Sequence, residues 1–340
     1  MAAEGRKVGV AIWGAGWVAS GHLRAFLAHP NAEIVAVGSR REESCRQLIA
    51  PYGLDVPIFT EYDRLLDHPG VEAVILCTPN QFHADETIRA AQAGKHLLIE
   101  KPVALTLEEL HAARDAVRKA GIITVAGFVV RWTPLIVTLK QLREQGDFGD
   151  IFMANAAYWS WRTARPAFQK QQATAVGPWL VGGCHAIDAI RYVTGLEVTE
   201  VSGYAAPVGD AYGYDYPCAQ VAAVQWNNGA TGTFTTTVVG HTPYQFDLDI
   251  VGTKGTARNK KLYLDRLPGD ADFFELPVQG QDSSDVIHHT FGGEIDHFVQ
   301  CVLSGQRSHV DMEDAVRTHE IGLAIEQSVR ERRPVSLPLG

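Results

Sequence analysis

Very little in this 340-residue chain points to a covalent or metal framework. Its five cysteines, Cys45, Cys77, Cys184, Cys218 and Cys301, are odd in number and scattered without a CxxC pair. Neither a disulfide lattice nor a zinc site is indicated, and reduced thiols are expected. No apolar run approaches the length of a membrane span, and the opening MAAEGRK carries no apolar signal region. A cytoplasmic protein without membrane contact is the expectation. Positive charge is also in short supply: 30 Lys and Arg against 39 Asp and Glu leave a formal net charge of −9, which argues against a nucleic-acid surface. Internal repeats, heptad runs and low-complexity segments are missing. What remains is an ordinary balance, 46% hydrophobic and 20% charged, with enough apolar material and length for two domains.

The stretch Val8 to His22, VGVAIWGAGWVASGH, organises the first half. It reads as a buried strand, a tight Gly14-Ala15-Gly16 turn, and a helix opening at Trp17 and Val18 with Ala19 in the third small position. This is the G-x-G-x-x-G/A pattern. Gly14 can take the positive φ of the turn, Gly16 lacks a Cβ that would block a pyrophosphate, and Ala19 lets helix and strand touch. Free N–H groups at the helix start then face phosphate oxygens, as a nicotinamide or flavin dinucleotide requires.

A second strand, Ile34 to Val37, runs into Gly38-Ser39-Arg40-Arg41. An NAD-selective site would place a carboxylate there for the ribose 2′-hydroxyl. Ser39 followed by Arg40 and Arg41 suits a 2′-phosphate instead, because guanidinium and phosphate pair in fork geometry, so NADP is favoured over NAD. The other reading of these residues is a solvated basic turn balanced by Glu42 and Glu43. Further strands at Ala73–Cys77 and His96–Ile99 lead into Thr78-Pro79-Asn80 and Glu100-Lys101-Pro102. His83 opens a helix that Gly94 stops, Thr106 and Glu109 form a capping box, and Ile122–Phe128 is a sixth strand candidate. Strands alternating with helices imply a parallel sheet, whose ligands lie beyond the strands' carboxyl ends, where Asn80, His83 and Lys101 sit.

After Arg131 the pattern changes. A helix from Pro134 to Gln145 precedes longer β-like runs at 151–161, 198–203, 218–226, 231–239 and 244–251, with Asn227-Asn228-Gly229 as a hairpin turn. The runs are read as joined without intervening helices, which predicts an antiparallel sheet. Two late helices follow, one with Ile295, Phe298, Val299 and Val302 on a face, the other from Met312 to Arg330. The fold class is therefore α/β: an N-terminal Rossmann domain over residues 1–126, and a C-terminal α+β domain over 127–340 with a large, mostly antiparallel open sheet. One open face of that sheet needs cover, so a homodimer or homotetramer through it is expected.

Several motifs, in order, resemble the Gfo/Idh/MocA family: GAGWVA from Gly14, CTPNQFH from Cys77, AGKHLLIEKP from Ala93, RWTP from Arg131, FGDI from Phe148, GGCHAID from Gly182 and VGTKGT from Val251. The resemblance covers nearly the whole chain. It implies cofactor contacts from Thr78, Pro79, Asn80, His83, Glu100 and Arg131, besides the glycine turn and the end of the second strand. It also implies that Lys101, the lysine of the EKP motif, lies beside the nicotinamide and the substrate hydroxyl. A lysine there stabilises a developing alkoxide. The family's second catalytic group is a histidine in a D-x-G-x-H pattern; His185 and Gly183 match, but Val181 stands in the aspartate's place. His185 remains a candidate general base. Asp188, one helical turn on, fits a structural role, and Cys184 reads as a small buried filler.

The segment from Tyr158-Trp159-Ser160-Trp161-Arg162 to Pro178-Trp179 resembles the family's variable substrate loop. Trp161, Arg162 and Trp179 are its candidate sugar contacts, since aromatic faces stack on sugar C–H groups and arginines bind hydroxyls or carboxylates. His288 and His289 are weaker candidates. No metal is implied. The resulting expectation is an NAD(P)-dependent oxidoreductase interconverting a secondary alcohol and a ketone on a sugar, cyclitol or glycoside. Two alternatives stay open: a glycoside-processing hydrolase or lyase using transient oxidation by a tightly held dinucleotide, and a non-catalytic dinucleotide sensor, to which Val181 lends weight.

Overall fold

The structure is a computed structural model that describes residues 5–161, 165–267, 272–278 and 289–340. These fall in two compact units, one within Met1–Val129 and Asp285–Val316, the other within Val130–Ser284 and Arg317–Gly340.

The first unit is a six-stranded parallel sheet built from β1 (Val8–Trp13), β2 (Ala32–Gly38), β3 (Ile58–Phe59), β4 (Ala73–Leu76), β5 (His96–Ile99) and β6 (Thr124–Ala126), in the order β3-β2-β1-β4-β5-β6. Every residue of β1 and β4 is buried, as expected of central strands covered on both faces. Helices α1 (Trp17–Leu27), α2 (Glu42–Ile49), α3 (Tyr62–Leu66), α4 (His83–Gln92) and α5 (Leu107–Ala120) connect the strands. The Thr106–Glu109 capping box forms as expected, each backbone N–H bonded to the other's side chain at 3.1 Å. Strand order reverses between β1 and β4, which pair in parallel from Val10↔Ala73 to Trp13↔Leu76. The carboxyl ends of these two strands therefore frame the switch point where ligands of such sheets bind.

The second unit begins with α6 (Pro134–Glu144) and carries a nine-stranded sheet. Its strands are β7 (Ile151–Trp159), β8 (Val198–Ala206), β9 (Ala219–Trp226), β10 (Thr231–Thr237), β11 (Gln245–Gly252), β12 (Gly255–Arg258), β13 (Lys261–Leu264), β14 (Phe274–Glu275) and β15 (Val335–Ser336). They are ordered β14-β13-β12-β11-β7-β10-β9-β8-β15. The Asn227-Asn228-Gly229 turn joins β9 to β10 with Gly229 at φ +85°, as read from the sequence. The sheet is mostly antiparallel, as expected; β10, which pairs with β7 in parallel, makes it mixed. Between β7 and β8 the chain makes α7 (Gln172–Ala175) and α8 (Cys184–Thr194), a helical excursion that the expectation of helix-free connections overlooked. Alternation along β9 turns Ala222, Val224 and Trp226 inward and leaves Val221, Ala223 and Gln225 outward; on the same sheet α8 packs against β7 and β11.

Two late helices complete the chain, α9 (Phe291–Ser304) and α10 (Met312–Glu331). The expected boundary at 126/127 assigned α9 to the second domain. Its apolar stripe Ile295, Phe298, Val299 instead packs on α1 and β1, so the chain returns to the first unit before α10. Periodicity alone shows that a helix has an apolar face, not which core that face meets. No helix among the described residues is long and apolar enough to cross a membrane.

Candidate active site

The glycine turn has the geometry its sequence implied. Gly14 takes φ +104°, and a Cβ there would lie 2.5 Å from the Cys77 carbonyl at the end of β4, so neither the conformation nor the space admits a side chain. At Gly16 a Cβ would meet nothing within 4 Å: this position faces open space. Gly16 caps α1 without a side-chain hydrogen bond, and no acidic residue stands in the first turn. The orphan N–H groups at Trp17 and Val18 are thus left for an external anion, while Ala19 is fully buried against the sheet. These features fit a dinucleotide pyrophosphate. At the end of β2, the Ser39 hydroxyl accepts the Arg41 amide at 3.2 Å, and the Arg40 guanidinium lies 5.1 Å from the centre of the Phe82 ring.

Beyond β4 and β5 several of the expected cofactor residues also bond to protein groups. His83 is buried, with Nδ1 2.7 Å from the Pro102 carbonyl and Nε2 2.8 Å from the Thr78 carbonyl. Both ring nitrogens are engaged by backbone, so His83 ties the loop after β4 to the loop after β5 rather than offering a group to a ligand. Burial lowers its pKa, although the two carbonyls pull the other way. Thr78 turns its hydroxyl to Glu86, which also accepts the Trp13 indole N–H at 2.7 Å. Pro79 leads into the helical turn Asn80–Phe82, in which Asn80 is buried.

Glu100 likewise points into protein. One carboxylate oxygen meets His22 Nε2 at 2.8 Å and the other accepts the Lys101 amide at 3.3 Å. Burial pushes its pKa up, but the hydrogen bond and charge of His22, with Lys101 and His289 adding to them, hold it below the ordinary glutamate value. Lys101 itself, partly exposed, follows directly on β5 at the carboxyl end of the sheet. Sequence reading missed His22 and Glu294. Glu294 is fully buried on α9, and burial together with the neighbouring Glu100 drives its pKa well up. The available signal was a histidine on the apolar stripe of α1 beside Ala19, Leu23 and Phe26. His289 meets Trp17 edge-on at 5.9 Å and stacks on Phe291.

In the second unit, a π-helical turn over Trp179–Gly183 delivers His185 to the first turn of α8. His185 is nearly buried, its ring 6.3 Å from that of Tyr158 on β7. Gly182 permits this approach, since a Cβ there would fall 2.3 Å from the Tyr158 ring. Val181 packs in an apolar cluster with Tyr214, Tyr216, Cys218, Val238 and Val239, so the position lacking its aspartate is filled by core. Trp179 is also core: it is fully buried and donates its indole N–H to Gln220 at 2.7 Å, which removes it from the substrate surface the sequence suggested. Arg131, expected at the cofactor, holds Asp188 in a buried two-bond ion pair. Cys184 is a buried filler, as expected.

Trp161 is part-exposed and makes edge contacts with Tyr212 at 5.7 Å and His241 at 4.8 Å, two partners that sequence reading did not single out. Trp159 lies on the outward sheet face with its indole N–H on Thr235. Arg162 and His288 lie outside the described residues.

A parallel sheet in this order, with an uncapped helix start behind an open glycine at its switch point, defines a dinucleotide-binding protein. Comparison with known sequences narrows the class. Residues 8–128 match the oxidoreductase family with an NAD-binding Rossmann fold, and residues 140–337 match its C-terminal alpha/beta domain; the chain belongs to this Gfo/Idh/MocA oxidoreductase family. Among its relatives, scyllo-inositol 2-dehydrogenase (NAD(+)) of Bacillus subtilis is 29% identical, over 97% of this chain and 96% of the relative. Myo-inositol 2-dehydrogenase of Thermotoga maritima is 24% identical over 96% and 98% of the two chains. Levoglucosan dehydrogenase, solved with NADH, shares the fold at a TM-score of 0.89 with 22% identity, covering 98% of this chain and all (100%) of that one.

Proposed function

We propose that this protein is an NAD(P)-dependent dehydrogenase that interconverts a secondary alcohol and a ketone on a sugar-like polyol, cyclitol or glycoside. The observation that carries the reading is Lys101 at the carboxyl end of β5, in the same sheet whose first strand ends in the open Gly14–Gly16 cradle. The names of the full-length relatives, dehydrogenases of inositols, support the substrate class.

Gly14, Gly16 and the free amides of Trp17 and Val18 hold the dinucleotide's phosphates. Ser39, Arg40 and Arg41, with no carboxylate among them, favour the 2′-phosphorylated form. The nicotinamide, when bound, supplies the hydride acceptor or donor. Lys101 places its ammonium on the substrate oxygen and stabilises negative charge developing there. His185 takes the hydroxyl proton during oxidation and returns it during reduction. His83 and Glu100 position the loop that bears Lys101, His83 through the Pro102 carbonyl and Glu100 through the Lys101 amide. Trp161, beside Tyr212 and His241, offers an aromatic edge to the sugar.

The protein works as a homo-oligomer. An open concavity on the outward sheet face, lined by Trp159, Tyr204, Val221 and the Thr235–Thr237 edge, is apolar enough to need cover by a second copy. The cytoplasm suits five buried cysteines that carry no disulfide.

The test is a screen of sugars, inositols and glycosides with both dinucleotides, following the absorbance of the reduced nicotinamide. Turnover that disappears in Lys101→Ala and His185→Ala supports the reading. Tight dinucleotide binding with no turnover on any polyol defeats it.

A further inference from the structure

Two arginines of the second unit hold carboxylates by the same edge of the guanidinium. Arg131 uses Nε and Nη2 on Asp188, at 2.7 and 2.5 Å, and Arg191 uses Nε and Nη2 on Glu197, both at 2.8 Å. Those two donors are parallel and match the spacing of carboxylate oxygens. In a third arginine that edge has no hydrogen-bond acceptor among the described residues. Arg165 donates Nη1 to Gln169 Oε1 at 2.8 Å, while its Nε and Nη2 are buried and have no hydrogen-bond partner among the described residues. Leaving two charged donors desolvated and unmatched is unfavourable, so that edge calls for an acceptor from outside the described residues.

The surroundings point the same way. The Arg165 charge acts on Tyr216 and Cys218, and both pack in the cluster that contains Val181, four residues before His185. Lys170, whose ammonium lies 5.2 Å from the centre of the Tyr214 ring, adds a second cation that acts on Cys218. Tyr212, whose carbonyl accepts from Lys170, touches Trp161 edge-on, so cations and aromatic edges share one end of the unit. The residue that would repel an anion here, an aspartate at the Val181 position, is missing.

We propose that Arg165 is the anchor of an anion subsite, so that the substrate is a sugar acid: a polyol bearing a carboxylate, gripped side-on by Nε and Nη2. This rests on the dehydrogenase reading above and specifies its substrate class. An arriving carboxylate displaces no acceptor among the described residues from Nε and Nη2. It supplies the two acceptors that those residues do not.

The experiment uses the full-length protein loaded with its preferred dinucleotide. Binding of D-glucuronate and D-galacturonate is compared with D-glucose, D-galactose and inorganic phosphate by calorimetry and thermal shift, in the wild type, Arg165→Lys and Arg165→Met. Turnover is measured in parallel. The expected result is uronate binding that weakens by about 100-fold in Arg165→Met, the loss of a charge-assisted two-bond contact, with Arg165→Lys in between. Melting of the ligand-free Arg165→Met protein should be no lower than that of the wild type, which shows that the variant folds. Uronates binding no better than neutral sugars, or equally to wild type and Arg165→Met, overturn the subsite, as does preferential binding of inorganic phosphate. Turnover of neutral sugars alone leaves the dehydrogenase standing without the subsite. Arg165-dependent uronate binding without any turnover leaves the subsite standing without the dehydrogenase.

Discussion

Arg131 grips Asp188 through two parallel hydrogen bonds, Nε to Oδ2 at 2.7 Å and Nη2 to Oδ1 at 2.5 Å, with both side chains almost wholly removed from water. Asp188 Oδ1 also accepts the Thr318 hydroxyl at 3.2 Å, tying α8 to α10 within the second unit. Asp188 is therefore unavailable as a stand-in for the missing aspartate at Val181. Asp188→Asn leaves the guanidinium buried without its counter-charge and should lower stability by about 3–5 kcal/mol. Chemical denaturation would measure this, and a loss under about 1 kcal/mol, the worth of a surface pair, would contradict it.

The two glycines of the cradle should separate folding from binding. Gly14→Ala combines a φ of +104° with a Cβ 2.5 Å from backbone, and should destabilise by about 2–4 kcal/mol. Gly16→Val has an extended conformation and open space to accept it, so melting should hold. Dinucleotide affinity should nevertheless fall by about tenfold or more as the side chain screens the helix start. Equal effects of the two substitutions on melting would show the cradle to be misread.

Substitutions at Lys101 and His185 should act on chemistry. Lys101→Ala is expected to lower kcat by about 10²–10³-fold and His185→Ala by about 10²–10⁴-fold, with the dinucleotide Kd little changed. Steady-state kinetics beside dinucleotide titration would separate the two quantities. A fall in dinucleotide affinity that accounts for the whole loss would remove either residue from the chemistry.

Restoring the family's aspartate is not expected to restore anything. Val181→Asp puts a carboxylate among Tyr214, Cys218, Val238 and Val239, and transfer of such a group into apolar surroundings costs at least about 2 kcal/mol even when it protonates. A variant as stable as the wild type would mean that the cluster admits water.

Stability should depend on pH through Glu86 and Glu326. Burial raises each from an ordinary 4.5 to about 7, against hydrogen bonds from Thr78 and Trp13 in the first case and from Gln220 in the second. A raised carboxyl pKa means that the folded state holds the proton more tightly than the unfolded state does. The stabilisation is complete below pH 4.5, falls as pH rises toward about 7, and changes no further above it. Glu86→Gln and Glu326→Gln should each flatten the decline in melting temperature over that interval; an unchanged slope in both would place the titration elsewhere.

Much of this was legible in the chain because it is local. The glycine turn, the Thr106–Glu109 capping box, the Asn227–Gly229 hairpin and the helix start at His83 each follow from a few neighbouring residues whose chemistry permits few backbone solutions. Motif spacing also placed Lys101 at a strand's carboxyl end.

Direction was harder to read. Glu100, His83, Trp179 and Arg131 occupy motif positions, yet each turns into protein, toward His22, two carbonyls, Gln220 and Asp188 respectively. Their partners lie between 5 and 78 residues away in sequence, and no periodicity encodes such pairings.

By itself, then, the sequence determined the sheet-and-helix alternation, the dinucleotide cradle and the kinds of side chain available for hydride chemistry, because backbone conformation answers to near neighbours. Tertiary structure alone decided that α9 returns to the first unit, that β7 and β10 run parallel, and that Val181 is core. It also decided which arginines already hold a carboxylate and which one, Arg165, has the same edge buried without a hydrogen-bond acceptor among the described residues. Those outcomes depend on which apolar faces and buried charges meet across long separations, and that is settled only when the whole chain has packed.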